Sequence, residues 1–251
     1  MKRKVIIHKH LFKNAGTTFD WILKNNYGNA FCDHRDDIPM RDKGEKYLIN
    51  FLEKNPEIKA LSSHHIWFTF SPSKSIELIP VYFLRHPIER IRSVYMFERK
   101  QQSETSGAKM AKKTNFREYV EWRMRDNVSA TIRNFQTRYF AGVKNVKHLK
   151  DHHLQNAIKE LKRCPFVGIV EYYDESMLLF EQEFKKLGIG IDLTYEVQNV
   201  TQKNIKLGLN DRINSILEDL GDLSKVVLSK NNYDIHLYEK AIAKLKNINN
   251  A

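Results

Sequence analysis

Lys13-Asn14-Ala15-Gly16-Thr17-Thr18 follows a short apolar run, Val5-Ile6-Ile7, and precedes apolar Phe19, Trp21, Ile22 and Leu23. A lysine, a glycine and two hydroxyls between a strand and a helix make a device that grips phosphate or sulfate. Gly16 permits close approach of the backbone to a ligand, and a helix N-terminus offers free N–H donors and the positive end of its dipole. Thr17 and Thr18 add hydroxyl donors, and Lys13 adds a fixed charge. The order is not that of a nucleoside-triphosphate loop, which needs four residues between its glycines and then Gly-Lys-Ser/Thr. Here the lysine precedes the glycine by three positions.

A second anion-binding candidate is Arg85, at the end of the apolar run Pro80-Val81-Tyr82-Phe83-Leu84. A guanidinium at a strand end can fork onto a phosphate, and Ser93 stands eight residues further on. For proton transfer, His64 and His65 carry the side chain whose pKa suits base work near neutrality. Neighbours on a strand point to opposite faces, so only one of the two is expected to enter a cleft. His8 and His10 alternate on the first strand and read as packing or as the mouth of the loop. Cys32 and Cys164 stand far apart without metal-ligand spacing, no ligand cluster emerges, and a reducing compartment fits.

These residues need elements to hold them. Residues 4–10, a segment within 58–70, 80–85 and 165–170 read as strands. Apolar spacing predicts helices over 17–26, 46–54, from Pro87 onward, and over 116–125, 128–140, 150–162, 174–187, 210–221 and 234–247. Polar residues 31–44 read as loop, 101–113 as a candidate mobile loop, and 206–251 as a helical C-terminal extension of a single domain spanning 1–251. Strands separated by helices predict an α/β fold of three layers, a central mainly parallel sheet flanked by helices. Ligands in such folds bind at the C-terminal ends of strands, which is where Lys13 and Arg85 fall. The two are expected near opposite edges of the sheet, holding opposite ends of one ligand.

Net charge of +12 favours polyanionic partners: nucleic acid, anionic polysaccharide, acidic lipid surfaces or phosphorylated ligands. Hydrophobic residues at 41% argue against a disordered chain. No apolar stretch approaches the ~18–20 residues that span a bilayer. The basic start, Met1-Lys2-Arg3-Lys4, lacks the apolar run of a signal peptide.

The order Lys13, Asn14, Ala15, Gly16, Thr17, Thr18 resembles the 5′-phosphosulfate loop of sulfotransferases that use 3′-phosphoadenosine 5′-phosphosulfate (PAPS), with Phe12 where many members have proline. Arg85-His86-Pro87 through Arg90, Ser93 and Tyr95 is similar to their 3′-phosphate motif. Asn134-Phe135-Gln136-Thr137-Arg138 and Phe166-Val167-Gly168 through Glu171, Glu175 and Ser176 resemble two further segments of the carbohydrate sulfotransferases. The likeness spans roughly 4–205 and is closest to the uronyl and heparan-sulfate 2-O-sulfotransferases.

This resemblance implies a P-loop-like fold and transfer of a sulfuryl group to a hydroxyl of a sugar or glycan. The product is adenosine 3′,5′-bisphosphate, and neither metal nor nucleic acid is expected. Lys13 would stabilise the leaving phosphate, and Arg85 and Ser93 would hold the 3′-phosphate. Thr201 and Lys203 would belong to a covering loop. Matching the branch's histidine selects His65 as base, with His64 as the alternative. A cytoplasmic enzyme of bacterial type is expected, or else the lumenal domain of a trimmed Golgi enzyme. Two readings compete: a kinase or phosphotransferase of related fold, and a non-catalytic polyanion-binding protein.

Overall fold

The computed structural model describes residues 2–73, 75–144, 146–196 and 207–249. Strands β1 (Arg3–Lys9), β2 (Phe31–Asp33), β3 (Ala60–Ser63), β4 (Ile76–Leu84) and β5 (Phe166–Ile169) form one sheet in the order β2-β3-β1-β4-β5. Every pairing is parallel. The chain builds β2 and β3 on one side of β1, then crosses over to build β4 and β5 on the other. That reversal opens a crevice beyond the C-terminal end of β1.

Side-chain alternation on β1 assigns the layers. Val5 and Ile7 join Leu48 and Leu52 of α2 (Asp37–Lys54) in one apolar cluster, whereas Ile6 joins Phe19 of α1 (Gly16–Tyr27) in another. Phe83 of β4 lies against Phe19 and against Phe180 of α8 (Tyr173–Lys186). Its neighbour Tyr82 faces the other way, onto Phe140 of α6 (Phe135–Phe140) and Glu160 of α7 (Asp151–Arg163). Helices therefore cover both faces, as the strand–helix alternation predicts. A separate apolar cluster joins α3 (Pro87–Lys100), α4 (Ser106–Lys113), α5 (Phe116–Arg123), α9 (Leu209–Leu220) and α10 (Leu223–Lys230). The last helix, α11 (Asn232–Asn249), packs on α6, α7 and α8.

Several expectations need correction. Lys13 and Arg85 do not stand near opposite sheet edges, because β1 and β4 are adjacent strands. Residues 31–44 are not loop: Phe31–Asp33 pairs with β3, and α2 starts at Asp37 and kinks at Gly44, where φ is 57°. The segment 101–113 is not a free loop, since α4 occupies Ser106–Lys113 with Thr105 capping the Ala108 N–H. Its buried face consists of Gly107, Ala108 and Ala111, too small to register as apolar periodicity. The helix expected over 128–140 shrinks to α6, because Asn134 takes the left-handed conformation with φ 45°. Helix α10 lies in a stretch the spacing passed over.

Candidate active site

The loop between β1 and α1 is bent by two left-handed non-glycine residues, Lys13 at φ 64° and Ala15 at φ 56°. Such conformations cost roughly 1–2 kcal/mol each for an L-residue, so the surroundings must hold them. Two buried polar side chains do so. Asn14 Nδ2 donates to the Phe83 carbonyl and to Gln136 Oε1, both at 2.7 Å. Arg90, 2% exposed, donates through Nε to the Phe12 carbonyl at 3.1 Å and through Nη1 to the Thr131 carbonyl at 2.8 Å. Its guanidinium lies 4.1 Å from the centre of the Phe135 ring. Burial lowers the Arg90 pKa to about 10, which leaves it charged at neutral pH.

Gln136, fully buried, joins this loop to the end of β4. Its Oε1 accepts from the Arg85 N–H at 2.9 Å as well as from Asn14, and its Nε2 donates to the Arg85 carbonyl at 2.8 Å. The Asp234 carboxylate in turn fixes α6 by accepting from the Gln136 N–H at 3.0 Å and the Thr137 N–H at 2.7 Å. The two anion-binding candidates are thus separated by one shared side chain.

Charge converges at the crevice. The Lys13 pKa is lowered, first by burial and then by the nearby Arg85, Arg90 and Lys100 cations. Its ammonium rests 4.7 Å from the centre of the Phe97 ring. Arg85 donates to Glu89 at 3.2 Å, and its Nε lies 3.9 Å from Glu171. Glu89 also accepts from Arg212 of α9 at 3.1 Å. Burial raises the Glu171 pKa, opposed by Arg85, the His86 N–H and the Tyr238 hydroxyl. Ser93 is half-buried one turn beyond Glu89 on α3, the spacing that shares a helix face.

Gly16 has a reason to be glycine that the sequence does not announce. Its φ is not positive; rather, a Cβ there would lie 2.3 Å from two atoms of the His10 ring. His10 Nδ1 donates to Asp20 Oδ2 at 2.9 Å, and His8 Nδ1 donates to Asp20 Oδ1 at 2.6 Å. Burial disfavours the Asp20 carboxylate, yet the two imidazoles outweigh it and hold its pKa well below the usual range. Burial also lowers the His8 pKa.

His64 and His65 follow β3 directly. His64 Nδ1 donates to the His10 carbonyl at 2.7 Å, which leaves Nε2 as the lone-pair nitrogen. Its ring centre is 4.0 Å from that of His10. Burial and the neighbouring His10 push the His64 pKa down to about 3. His65 is half-buried, and its N–H donates to Ser63 Oγ at 3.2 Å.

Of the residues singled out by sequence, Asn14 and Arg85 meet in one hydrogen-bond network through Gln136, Lys13 stands close enough for the Arg85 charge to lower its pKa, and Ala15 and Gly16 shape the loop. Thr17 is exposed at the start of α1, while Thr18 is buried with its N–H donating to the Ala15 carbonyl at 3.2 Å. Thr201 and Lys203 lie outside the described residues. The spacing arguments missed Gln136 and Asp20 as structural pivots. The signals available for Gln136 were a polar residue among Phe135, Tyr139 and Phe140 and its place in the Asn134–Arg138 segment, which carried the family resemblance but no role.

Three of the buried polar atoms without a hydrogen-bond partner, Asn14 Oδ1, Arg85 Nε and Arg90 Nη2, belong to this same network. A polyanion with hydrogen-bond donors of its own suits that set: two guanidiniums and an ammonium for charge, and a carbonyl oxygen for a donor.

A family model described as the sulfotransferase family matches residues 1–239. An uncharacterized protein from Archaeoglobus fulgidus is 32% identical over 252 residues, covering 96% of this chain and 97% of the other. The crystal structure of a sulfotransferase from Alicyclobacillus acidocaldarius matches with a TM-score of 0.42 and 13% identity, over 94% of this chain and 97% of that one.

Proposed function

This chain belongs to the sulfotransferase family, and on that premise we propose that it transfers a sulfuryl group from PAPS to a hydroxyl of a sugar or glycan. The observation that carries the reading is the Gln136 bridge, which ties the Lys13 loop to Arg85. One phosphorylated nucleotide can then touch both. PAPS would supply an activated sulfuryl group on a phosphate leaving group.

The chain's own residues divide the remaining work. Asn14 and Arg90 hold the loop so that the N–H groups at the start of α1 and the Lys13 ammonium face a 5′-phosphosulfate. Lys13 stabilises charge that grows on the departing phosphate oxygen, the kind of contribution worth about 10²–10³ in rate. Arg85 and Ser93 hold the 3′-phosphate, and Thr201 and Lys203 complete the cover. His65 takes the acceptor's proton as its oxygen bonds to sulfur. His64 is the second choice, because a pKa of about 3 makes its Nε2 a weak base. The acceptor reading follows the likeness of the His64–His65 segment to the uronyl 2-O branch.

Thermal melting tests the reading. Adenosine 3′,5′-bisphosphate is expected to raise the melting temperature, and ATP with Mg²⁺ is not. Arg85→Ala should remove most of that rise. A rise with ATP–Mg²⁺ alone would turn the assignment toward phosphoryl transfer, and no rise with either would leave a non-catalytic binder. Mass spectrometry of candidate sugars incubated with labelled PAPS then identifies the acceptor.

A further inference from the structure

His8 lies in β1 and His10 directly follows the strand's last residue, Lys9; their rings stack with centres 4.9 Å apart, so the two imidazoles share one side. Asp20, from the second turn of α1, reaches both. We propose that His8, His10 and Asp20 form a binding site for a divalent first-row transition ion, with zinc the natural occupant of such a ligand set.

The donor atoms of the three side chains all lie within 4.8 Å of one another. A tetrahedral ion with bonds of about 2.0–2.2 Å sets its ligand atoms roughly 3.3–3.6 Å apart, so the two His–Asp pairs, now at 2.6 and 2.9 Å, open by at most about 1 Å as the ion enters, and any wider pair closes. His8 is 1% exposed, and its ring meets Phe19 and Phe83 edge-on, an apolar wall of the kind that surrounds metal ligands. Ser62 Oγ stands 3.1 Å from His8 Nδ1 and can fill or hydrogen-bond the fourth position. Two imidazoles and one carboxylate suit zinc, cobalt or ferrous iron. They offer too few oxygens for calcium or magnesium.

Without an ion, Asp20 spends one oxygen on each imidazole. With one, coordinate bonds replace those two hydrogen bonds at the same three side chains. The site spans β1 and α1, on either side of the anion-binding loop, and fixes the His10 ring against Gly16. Its role is to stiffen that loop, and it stands whether or not the proposed reaction does.

The test uses the full chain without a polyhistidine tag, stripped with chelator and titrated with Co²⁺. One equivalent is expected to produce saturable visible absorption of tetrahedral or five-coordinate type. Asp20→Asn and His10→Gln should each weaken binding by at least about tenfold while keeping the helical circular dichroism and a cooperative melt. Zn²⁺ should raise the melting temperature of the parent chain and leave both variants unmoved. If either variant fails to fold, X-ray absorption on the zinc-loaded parent decides, with two imidazoles and oxygen expected around the ion. Absence of saturable Co²⁺ absorption, equal binding by folded variants, or a zinc shell without imidazole overturns the site.

Discussion

Replacing Gln136 with leucine keeps the volume and removes every side-chain hydrogen bond. Asn14 Nδ2 would keep the Phe83 carbonyl, but the Arg85 N–H and carbonyl would both lose their partner. Gln136 is fully buried and Arg85 half-buried, so water can compensate only in part. Each orphaned buried group costs about 1–3 kcal/mol, giving roughly 2–6 kcal/mol in all. That is a large share of the ~5–15 kcal/mol a domain typically has. The functional effect is separable: with Asn14 untethered from the end of β4, Lys13 and Arg85 lose their common reference. Misplacement by about 1 Å costs on the order of 10² in rate. Urea unfolding should show the destabilisation, and kinetics below the transition should show kcat/KM down by about 10²-fold. The melting shift with adenosine 3′,5′-bisphosphate should shrink in parallel. If Gln136→Leu keeps both kcat/KM and the nucleotide shift, the bridge does not organise the site and the reasoning fails.

Three further perturbations probe other parts of the scheme. His65→Ala should lower kcat while leaving the nucleotide-induced melting shift intact, and full kcat in that variant would pass the base role to His64. Gly16→Ala drives a methyl into the His10 ring and should cost about 1–3 kcal/mol, with the loss relieved in the Gly16→Ala/His10→Ala double variant; a fully stable single variant would mean that His10 does not cover Gly16. Lys9 is wholly buried, donates to the Phe68 carbonyl and the Tyr82 hydroxyl, and has its pKa lowered by burial to about 7. Between pH 7 and 10.5 the unfolded chain binds a proton there that the folded chain does not, so stability should rise with pH, by at most about 1.4 kcal/mol per unit. Urea unfolding at pH 7.5 and 9 should show that slope in the parent and a flatter one in Lys9→Met, and identical slopes would exclude Lys9 as the titrating group.

What the sequence disclosed, and what it hid, follows from range. The Lys13 loop, β4 and β5 were legible because each is a local pattern: a glycine with two hydroxyls before a helix, or a short run of β formers. The segment of Gly107, Ala108 and Ala111 was misread because its burial depends on the Glu98–Arg123 pair against it, and small residues leave no apolar periodicity. Asn134 hid a helix boundary for a related reason. Its left-handed backbone is held by residues about a hundred positions away: its N–H donates to Asn231 Oδ1, and its own Oδ1 accepts from the Tyr233 N–H at the start of α11. The grouping of His8 with His10 was visible as alternation, but the carboxylate between them comes from another element and carries no spacing signature.

The same long-range dependence changes the standing of the C-terminal segment. Read as an extension with no motif, it is in fact part of the scaffold. Asn134 Oδ1 accepts from the Tyr233 and Asp234 N–H groups at 3.0 Å, while Asp234 accepts from the first N–H groups of α6, so α6 and α11 cap each other. That exchange satisfies donors that a helix start leaves open, and its Asp234 half lies buried, where water cannot substitute. Gln136 projects from this joint to Asn14 and Arg85. Tyr238 of α11 holds Glu171 at 2.9 Å beside Arg85, and Arg212 of α9 holds Glu89 on the other flank. Arg85 is therefore gripped by two carboxylates whose own positions are set by the last quarter of the chain. A phosphate arriving there does not meet a free cation. It must compete with Glu89 and Glu171, so α9 and α11 help decide how much positive field the crevice presents.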